Sequence, residues 1–257
     1  MKIIGMCQSY NEREKGNLKF LHEYLKWLDV VVFLDDNSTD DTQEYIQGLM
    51  EPNFHVKEPS ENFDLIIDGK IGGKEFCYRN NREGNKQEET LNKKLLLEEV
   101  LKYEPTWIVS FDMDERYESK WLEDYRKVLE YCERKEINSL CFWWVNLWLN
   151  EGWYRVDNGV SNISSPKIWR NIGSQKIVEN SWPDIANNKV LQDYCLICHS
   201  FASKEKIKNY MKINNTKSEF LSNIKLRKCK KGWECKDELL PDFYEIHKKI
   251  LEGMDES

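Results

Sequence analysis

The sequence predicts an α/β protein with a mixed, mainly parallel central sheet and helices on both of its faces. In the first half of the chain, short apolar runs alternate with segments of helical periodicity, which is the pattern of a parallel sheet covered by helices. In the second half, β-rich and aromatic segments dominate. Hydrophobic residues make up 40% of the 257, enough to bury a sizeable core, and we find no linker or internal repeat. One domain is therefore the simplest interpretation.

The first elements follow from apolar spacing. Residues 2–7 form a short apolar run, and residues 17–28 place leucines at helical intervals. Residues 30–34 (VVVFL) predict a second buried strand, because β-branched residues dominate a run that is too short for a helix. The polar residues 37–40 offer caps for a helix that continues to about residue 50.

The next elements continue this alternation. Residues 53–57 predict a third strand, residues 87–103 a helix, and residues 107–111 (WIVSF) another apolar strand. The intervening residues 60–86 are polar and contain several glycines. A loop of this length indicates either a disordered insertion or a mobile flap over a site.

The second half is predicted to contain one long helix and several strands. The helix covers residues 119–134. The strand-like segments are residues 139–148, 152–156, 166–170 and 190–201. Lys-rich helical segments are expected to close the chain.

Charge and composition exclude several classes of function. Lysine and arginine number 38 against 45 acidic residues, a net charge of −7, which argues against a nucleic-acid partner. The sequence has no long apolar run that could span a membrane, and its N-terminus turns polar too early for a signal peptide. We therefore expect a cytoplasmic protein whose eight cysteines are reduced thiols. A structural zinc site stays open, although the spacing of its last two ligands is unusual; it would use Cys195, Cys198, Cys229 and Cys235.

Acidic and amide side chains follow three of the predicted strands. They are Tyr10, Asn11 and Glu12 after the first strand, Asp35 and Asp36 after the second, and Asp112, Asp114 and Glu115 after residues 107–111. In an open α/β sheet, ligands bind at the carboxyl ends of the parallel strands. These side chains are therefore expected to meet at one edge.

The pair Asp112-x-Asp114 is the candidate metal site. Residues i and i+2 can point to one side of an extended segment, and two carboxylates so placed repel each other unless a cation neutralises them. Oxygen ligands suit Mg²⁺ or Mn²⁺, ions that often keep positions for substrate phosphates. The alternative is that these acids cap the helix that begins near Ser119.

Two acidic segments carry a resemblance to a known family. VVVFLDDNSTDDT, followed later by WIVSFDMDE, resembles the family-2-type nucleotide-sugar glycosyltransferases of the GT-A fold. Residues 34–42 match a VDDGSTDxT-like segment, with Asn37 in place of Gly, and Asp112 to Glu115 match a D-x-D-E element. The opening GMCQSYNE is similar to the family's first strand and nucleotide-facing loop.

A subgroup of these enzymes is similar in two further places. Gln87 and Asn92 resemble its Q…N helix, and His199 begins a segment similar to its H-Y-x-x-(K/R)-S-x-E element. The resemblance covers about residues 1–212 and implies a GT-A-like, Rossmann-like fold.

The resemblance also implies roles for particular residues. Nucleotide contacts would come from Tyr10, Asn11, Glu12, Asp35, Asp36 and Asp112, and metal ligation from Asp112, Asp114 and His199. Glu115 would lie beside the acceptor or support the metal loop. The general base of an inverting reaction is not carried over by position; we favour Asp184 over Glu179 and Asp157.

The implied division of the single domain has three parts. Residues 1–118 would bind the nucleotide sugar, residues 119–212 would form the acceptor side, and residues 213–257 would be a helical, Lys-rich extension. Residues 203–231 hold ten basic residues against two acidic ones. This segment is either a solvated helix face or a cationic surface for the donor diphosphate or for peripheral contact with an anionic membrane.

The predicted function is that of a glycosyltransferase dependent on Mn²⁺ or Mg²⁺. It would move a sugar from a nucleoside-diphosphate donor to a glycan, lipid-linked or protein hydroxyl, with inversion as the default for the family. Two alternatives stay open. One is a non-catalytic nucleotide- or glycan-binding module on the same fold, and the other is a metal-dependent phosphatase or nucleotidyltransferase.

Overall fold

The computed structural model describes residues 1–82, 89–148, 150–155, 164–177, 183–185, 188–201 and 226–228. The described strands are β1 (Ile3–Ser9), β2 (Val30–Asp35), β3 (His55–Lys57), β4 (Phe63–Ile71), β5 (Lys74–Asn81), β6 (Trp107–Phe111), β7 (Glu115–Tyr117), β8 (Ser139–Trp148), β9 (Asn150–Arg155), β10 (Ile168–Arg170), β11 (Asn188–Phe201) and β12 (Leu226–Lys228). The described helices are a 3₁₀ turn (Leu18–Phe20), α1 (Leu21–Leu25), α2 (Thr42–Leu49), α3 (Glu89–Leu101) and α4 (Ser119–Arg134). The predicted α/β class is confirmed.

All described strands belong to one mixed sheet. Its main path runs β12-β9-β8-β10-β6-β1-β2-β5-β4-β3, and β11 joins it beside β8 and carries β7 on its other side. The four central strands β6, β1, β2 and β5 are parallel to one another. On both flanks of these four strands the pairing becomes antiparallel, through β10 on one side and β4 on the other. The sheet is therefore mixed, as expected, but the prediction that it is mainly parallel is wrong. Parallel pairing is confined to the four central strands and to β8 with β11, and most described strand pairs are antiparallel.

Helices cover both faces of the central strands, as the sequence predicts. On one face, Leu96 and Val100 of α3 pack against alternate residues of β1 and β2 such as Ile4 and Val32. On the opposite face, the 3₁₀ turn, α1, α2 and α4 pack against residues such as Phe33. β2 is buried along its whole length, which explains why its sequence is a continuous apolar run.

The prediction of a disordered insertion or mobile flap at residues 60–86 is wrong for residues 63–81. These residues form the hairpin β4–β5, and β5 lies in parallel register beside β2. The turn uses Gly72 and Gly73, both at positive φ. The sequence did not reveal this strand, because a charged residue such as Arg79 is not expected in a buried strand. In the structure Arg79 is buried in β5, and its charge is compensated by Glu99 at 2.9 Å and Asp68 at 2.6 Å.

The other elements agree with the predictions except at their limits. The expected helix 17–28 is a 3₁₀ turn followed by a short α1, and the helix 119–134 is present over its full length. Of the extension 213–257, predicted to be helical, the described part is β12, a strand paired with β9; the rest lies outside the described residues. Among the described residues, no helix is long and apolar enough to cross a membrane.

Gly5 provides a test of how tightly Leu28, which follows α1, and Phe111 of β6 pack on β1. A Cβ atom at this position would lie 2.8 Å from Cε1 of Phe111 and closer still to Cδ1 of Leu28. We expect Gly5→Ala to lower the free energy of unfolding by about 1–3 kcal/mol, because overpacking forces neighbours to shift. Urea unfolding measures the change.

The matched control is Gly48→Ala on α2. A Cβ atom there meets nothing within 4 Å, so the same substitution should leave the free energy of unfolding unchanged or raise it by up to about 1 kcal/mol. Equal effects at the two glycines would contradict the packing described for β1.

Candidate functional site

The register of the central strands brings their carboxyl ends to one edge of the sheet. Ser9 at the end of β1 pairs with Asp35 at the end of β2, and Asp35 pairs with Asn80 near the end of β5. On the other side, Cys7 pairs with Phe111, so Asp112 follows β6 at the same level. The sequence prediction that the three acidic groups share an edge therefore agrees with the backbone.

Hydrogen bonds join the loops that follow β1 and β2. The backbone N–H of Asn11 donates to Oγ of Ser38 at 2.8 Å, and Oδ1 of Asn11 accepts the backbone N–H of Thr39 at 2.8 Å. Asn11 and Asn37 both have positive φ, at 51° and 59°. Asparagine tolerates this conformation, which explains why Asn37 can occupy the position of Gly in the VDDGSTDxT-like segment.

Asp35 is a buried anchor for this loop. Its Oδ1 accepts the backbone N–H and the hydroxyl of Ser38, and its Oδ2 accepts the hydroxyl of Tyr78 at 2.5 Å. Burial raises the pKa of Asp35, although these hydrogen bonds oppose the effect. Both carboxylate oxygens of Asp35 thus accept protein donors, which fits its role as an anchor of the loop.

Asp36 lies on the α3 face of the sheet. Its backbone N–H donates to the carbonyl of Ser9 at 2.8 Å. Nδ2 of Asn81 donates both to Oδ1 of Asp36 at 3.1 Å and to Oδ1 of Asn92, on α3, at 2.9 Å. Sequence reasoning missed Tyr78 and Asn81, because both lie in the segment that it interpreted as a loop.

Glu12 and Tyr10 lie on the loop after β1. Glu12 is buried and accepts hydrogen bonds from Lys15 and from Nδ2 of Asn17, each at 2.8 Å. Lys15 also donates to the carbonyl of Tyr10. Burial raises the pKa of Glu12, the two donors oppose this, and the charge of Asp114 adds to it.

One cation that meets the acidic edge is Lys167, which sequence reasoning missed. Its ammonium donates to Oδ2 of Asp112 at 3.0 Å and to Oε2 of Glu115 at 2.7 Å, and the residue is 4% exposed. Lys167 precedes β10, which runs antiparallel to β6, so the start of β10 lies beside the end of β6. The only sign of Lys167 in the sequence is that a single lysine stands directly before the apolar residues 168–169.

The three charges affect one another strongly. Burial raises the pKa of Asp112, but the charges of Lys167 and Lys93 outweigh it and lower that pKa to about 2. Glu115 is more deeply buried, and burial raises its pKa to about 7 despite Lys167, with Asp112 and Asp114 adding to the increase. Burial opposes the charge of Lys167, yet the two carboxylates raise its pKa well above the usual value.

The backbone places His199 next to this loop. β11 pairs antiparallel with β7, and the last pair of that ladder joins Cys198 to Glu115. One residue beyond that pair lie His199 on β11 and Asp114 before β7. The side chain of His199 lies outside the described part of the structure, as do those of Cys195, Cys229 and Cys235, so the predicted ligation by His199 and the structural zinc site stay predictions.

Asp112 and Asp114 are the side chains of this edge that could hold a divalent cation. The side chain of Asp112 is 40% exposed, and its Oδ2 accepts a hydrogen bond from Lys167. In the described part of the chain, Oδ1 of Asp112 accepts no hydrogen bond. Asp114 is partly exposed. Among the described residues, no three ligating side chains gather at one point. Mg²⁺ commonly takes one or two carboxylates and completes its coordination with water and phosphate oxygens, so two carboxylates suffice here.

Asp184, the favoured general base, lies apart from these contacts. It is exposed, beside an isolated bridge between Ile177 and Pro183, and its backbone N–H donates to the carbonyl of Lys176 at 2.8 Å. No described contact joins its side chain to the acidic edge. The competing candidates Glu179 and Asp157 lie outside the described residues, so the identity of the base stays a prediction.

Comparison with known proteins adds no assignment. No protein-family model matches the chain, and no curated protein matches it.

Removal of the Tyr78 hydroxyl tests the anchoring of Asp35. We expect Tyr78→Phe to lower the free energy of unfolding by about 1–2 kcal/mol at neutral pH, because a buried carboxylate loses a donor. The lost hydroxyl stabilises the charged carboxylate, so the variant raises the pKa of Asp35 further. The deficit should therefore shrink as the pH falls and Asp35 becomes protonated in both proteins.

Urea unfolding at several pH values measures this deficit, with Tyr131→Phe as the control, since Tyr131 is exposed on α4. A deficit that does not change with pH would contradict the coupling between Tyr78 and Asp35.

Proposed function

We propose that this protein is a glycosyltransferase dependent on Mn²⁺ or Mg²⁺, with a GT-A-like arrangement of its sheet and site. It transfers a sugar from a nucleoside diphosphate to a hydroxyl on a glycan, a lipid-linked acceptor or a protein. The observation that carries the proposal is the position of Asp36 and Asp112 at the carboxyl ends of β2 and β6, the parallel strands on either side of β1, on the face covered by α3. Open α/β sheets bind their ligands at this edge.

Each group at the edge has a part in donor binding. Asn81 holds the carboxylate of Asp36, to which we assign a hydroxyl of the ribose or an N–H of the base. Asp112 and Asp114 provide oxygen ligands for the cation, and His199 lies on the neighbouring strand as a further candidate. A bound divalent cation neutralises the charge that develops on the leaving diphosphate.

The environment of Glu115 favours a supporting role over contact with the acceptor. Glu115 is 2% exposed, Lys167 binds its carboxylate, and the hydroxyl of Tyr24 donates to its backbone carbonyl at 3.0 Å. These contacts hold the turn between β6 and β7, which carries Asp112 and Asp114. The exposed Asp184 remains the proposed base for the acceptor hydroxyl.

Metal-dependent nucleotide binding tests the proposal. We expect at least one of UDP, GDP, CDP and dTDP to raise the melting temperature by several degrees with Mn²⁺ and not without it. A ligand at about a hundred times its Kd stabilises a protein by about 2.7 kcal/mol. In Asp114→Asn the metal-dependent shift should disappear, while the control Glu130→Gln, a loss of the same charge on exposed α4, should retain it.

Donor hydrolysis separates this proposal from the alternatives. Slow release of the sugar from a nucleotide sugar, abolished by a chelator and by Asp114→Asn, supports a glycosyltransferase. Nucleotide binding without hydrolysis of any donor would indicate a binding module, and release of phosphate from simple esters without preference for nucleotide sugars would indicate a phosphatase.

A further inference from the structure

Lys167 is a buried cation between two carboxylates of the acidic edge. Its ammonium reaches Oδ2 of Asp112 and Oε2 of Glu115, and one ammonium cannot neutralise two carboxylates. If both are charged, one negative charge remains. It is presented on the Asp112 side, since the Asp112 side chain is 40% exposed and that of Glu115 is 3% exposed.

The backbone around Lys167 is held from both sides. The carbonyl of Lys167 accepts the N–H of Ser110 from β6 at 2.8 Å, and its N–H donates to the carbonyl of Leu140 from β8 at 3.0 Å. The ammonium therefore extends from a fixed position in the sheet. A side chain anchored in this way can restrict the rotamers of the two carboxylates that it contacts.

Stability alone is a weak reason for such a group. Taking the ammonium of Lys167 and the carboxylate of Glu115 out of water costs several kcal/mol per ion, and apolar replacements of buried ion pairs are often equally or more stable. Groups that orient a metal-binding side chain, in contrast, commonly contribute 10–100-fold to metal affinity. The partial exposure of Asp112 at the ligand edge matches the second role.

We propose that Lys167 is a positioning residue. It holds Oδ2 of Asp112 so that Oδ1 faces the cation bound with the nucleoside diphosphate, and it ties this carboxylate to Glu115, which fixes the turn before β7. The inference rests on the proposed function, because it assigns Lys167 a role at that same site. Lys167 itself contacts neither the cation nor the sugar.

The test measures the Mn²⁺ concentration that gives half of the nucleotide-induced thermal shift. It uses the nucleoside diphosphate that stabilises the wild-type chain most. Lys167→Met removes the charge and keeps the length of the side chain. We expect the half-saturating Mn²⁺ concentration to rise at least tenfold. The control Lys94→Met makes the same change on the exposed side of α3 and should shift it less than twofold.

Lys167→Met alone leaves the buried carboxylate of Glu115 unpaired, which could cause misfolding. The same substitution is therefore also made in a Glu115→Gln variant. In Glu115→Gln, the contact between Lys167 and Asp112 remains, so the half-saturating concentration should rise only a few-fold. Adding Lys167→Met to Glu115→Gln should raise it by about a further tenfold. Circular dichroism melting of the apo proteins reports on folding, which a purely structural role would affect without changing the Mn²⁺ dependence.

The outcomes separate this inference from the proposed function. No metal-dependent shift in the wild-type chain means that the proposed function fails. A normal wild-type shift that Lys167→Met changes less than twofold in either background overturns the positioning role alone. Loss of folding in both backgrounds also overturns it, because Lys167 would then serve the stability of the fold.

Discussion

The parallel pairing of β6, β1, β2 and β5 is the constraint on which the rest of the structure depends. Because these strands run in the same direction and in register, their carboxyl ends reach one level, and the polar residues that follow them meet at one edge. The buried apolar faces of the same strands hold α3 on one side and the remaining helices on the other. The core and the candidate site are thus consequences of one pairing pattern.

Within that edge, the acidic groups are paired with residues from distant parts of the chain. Lys167 reaches Asp112 and Glu115 because β10 joins the sheet antiparallel to β6, and Asn81 reaches Asp36 because β5 lies beside β2. Buried carboxylates need such partners, since an unpaired charge in the interior is costly. The acids also differ in exposure: Asp35 and Glu115 are buried, while Asp112 and Asp114 are partly exposed.

Local sequence patterns predict three of the four central strands, β1, β2 and β6, and the acids that follow them. VVVFL and WIVSF are apolar runs directly followed by carboxylates, and a parallel sheet brings such ends together. The hairpin β4–β5 could not be predicted in this way, because its charged Arg79 is compensated by Asp68 and Glu99 only in the folded chain. The role of Lys167 could not be predicted for the same reason. Its partners lie more than fifty residues away, and a lone lysine before an apolar segment does not reveal them.

The most direct measurement is a crystal structure of the protein with Mn²⁺ and the nucleoside diphosphate that it binds. The account predicts the cation within about 2.2 Å of an oxygen of Asp114 and of Oδ1 of Asp112. It also predicts that the ammonium of Lys167 remains on Oδ2 of Asp112 and that the nucleoside lies beside Asp36. A diphosphate bound elsewhere, or carboxylates of Asp112 and Asp114 turned away from it, would contradict the account.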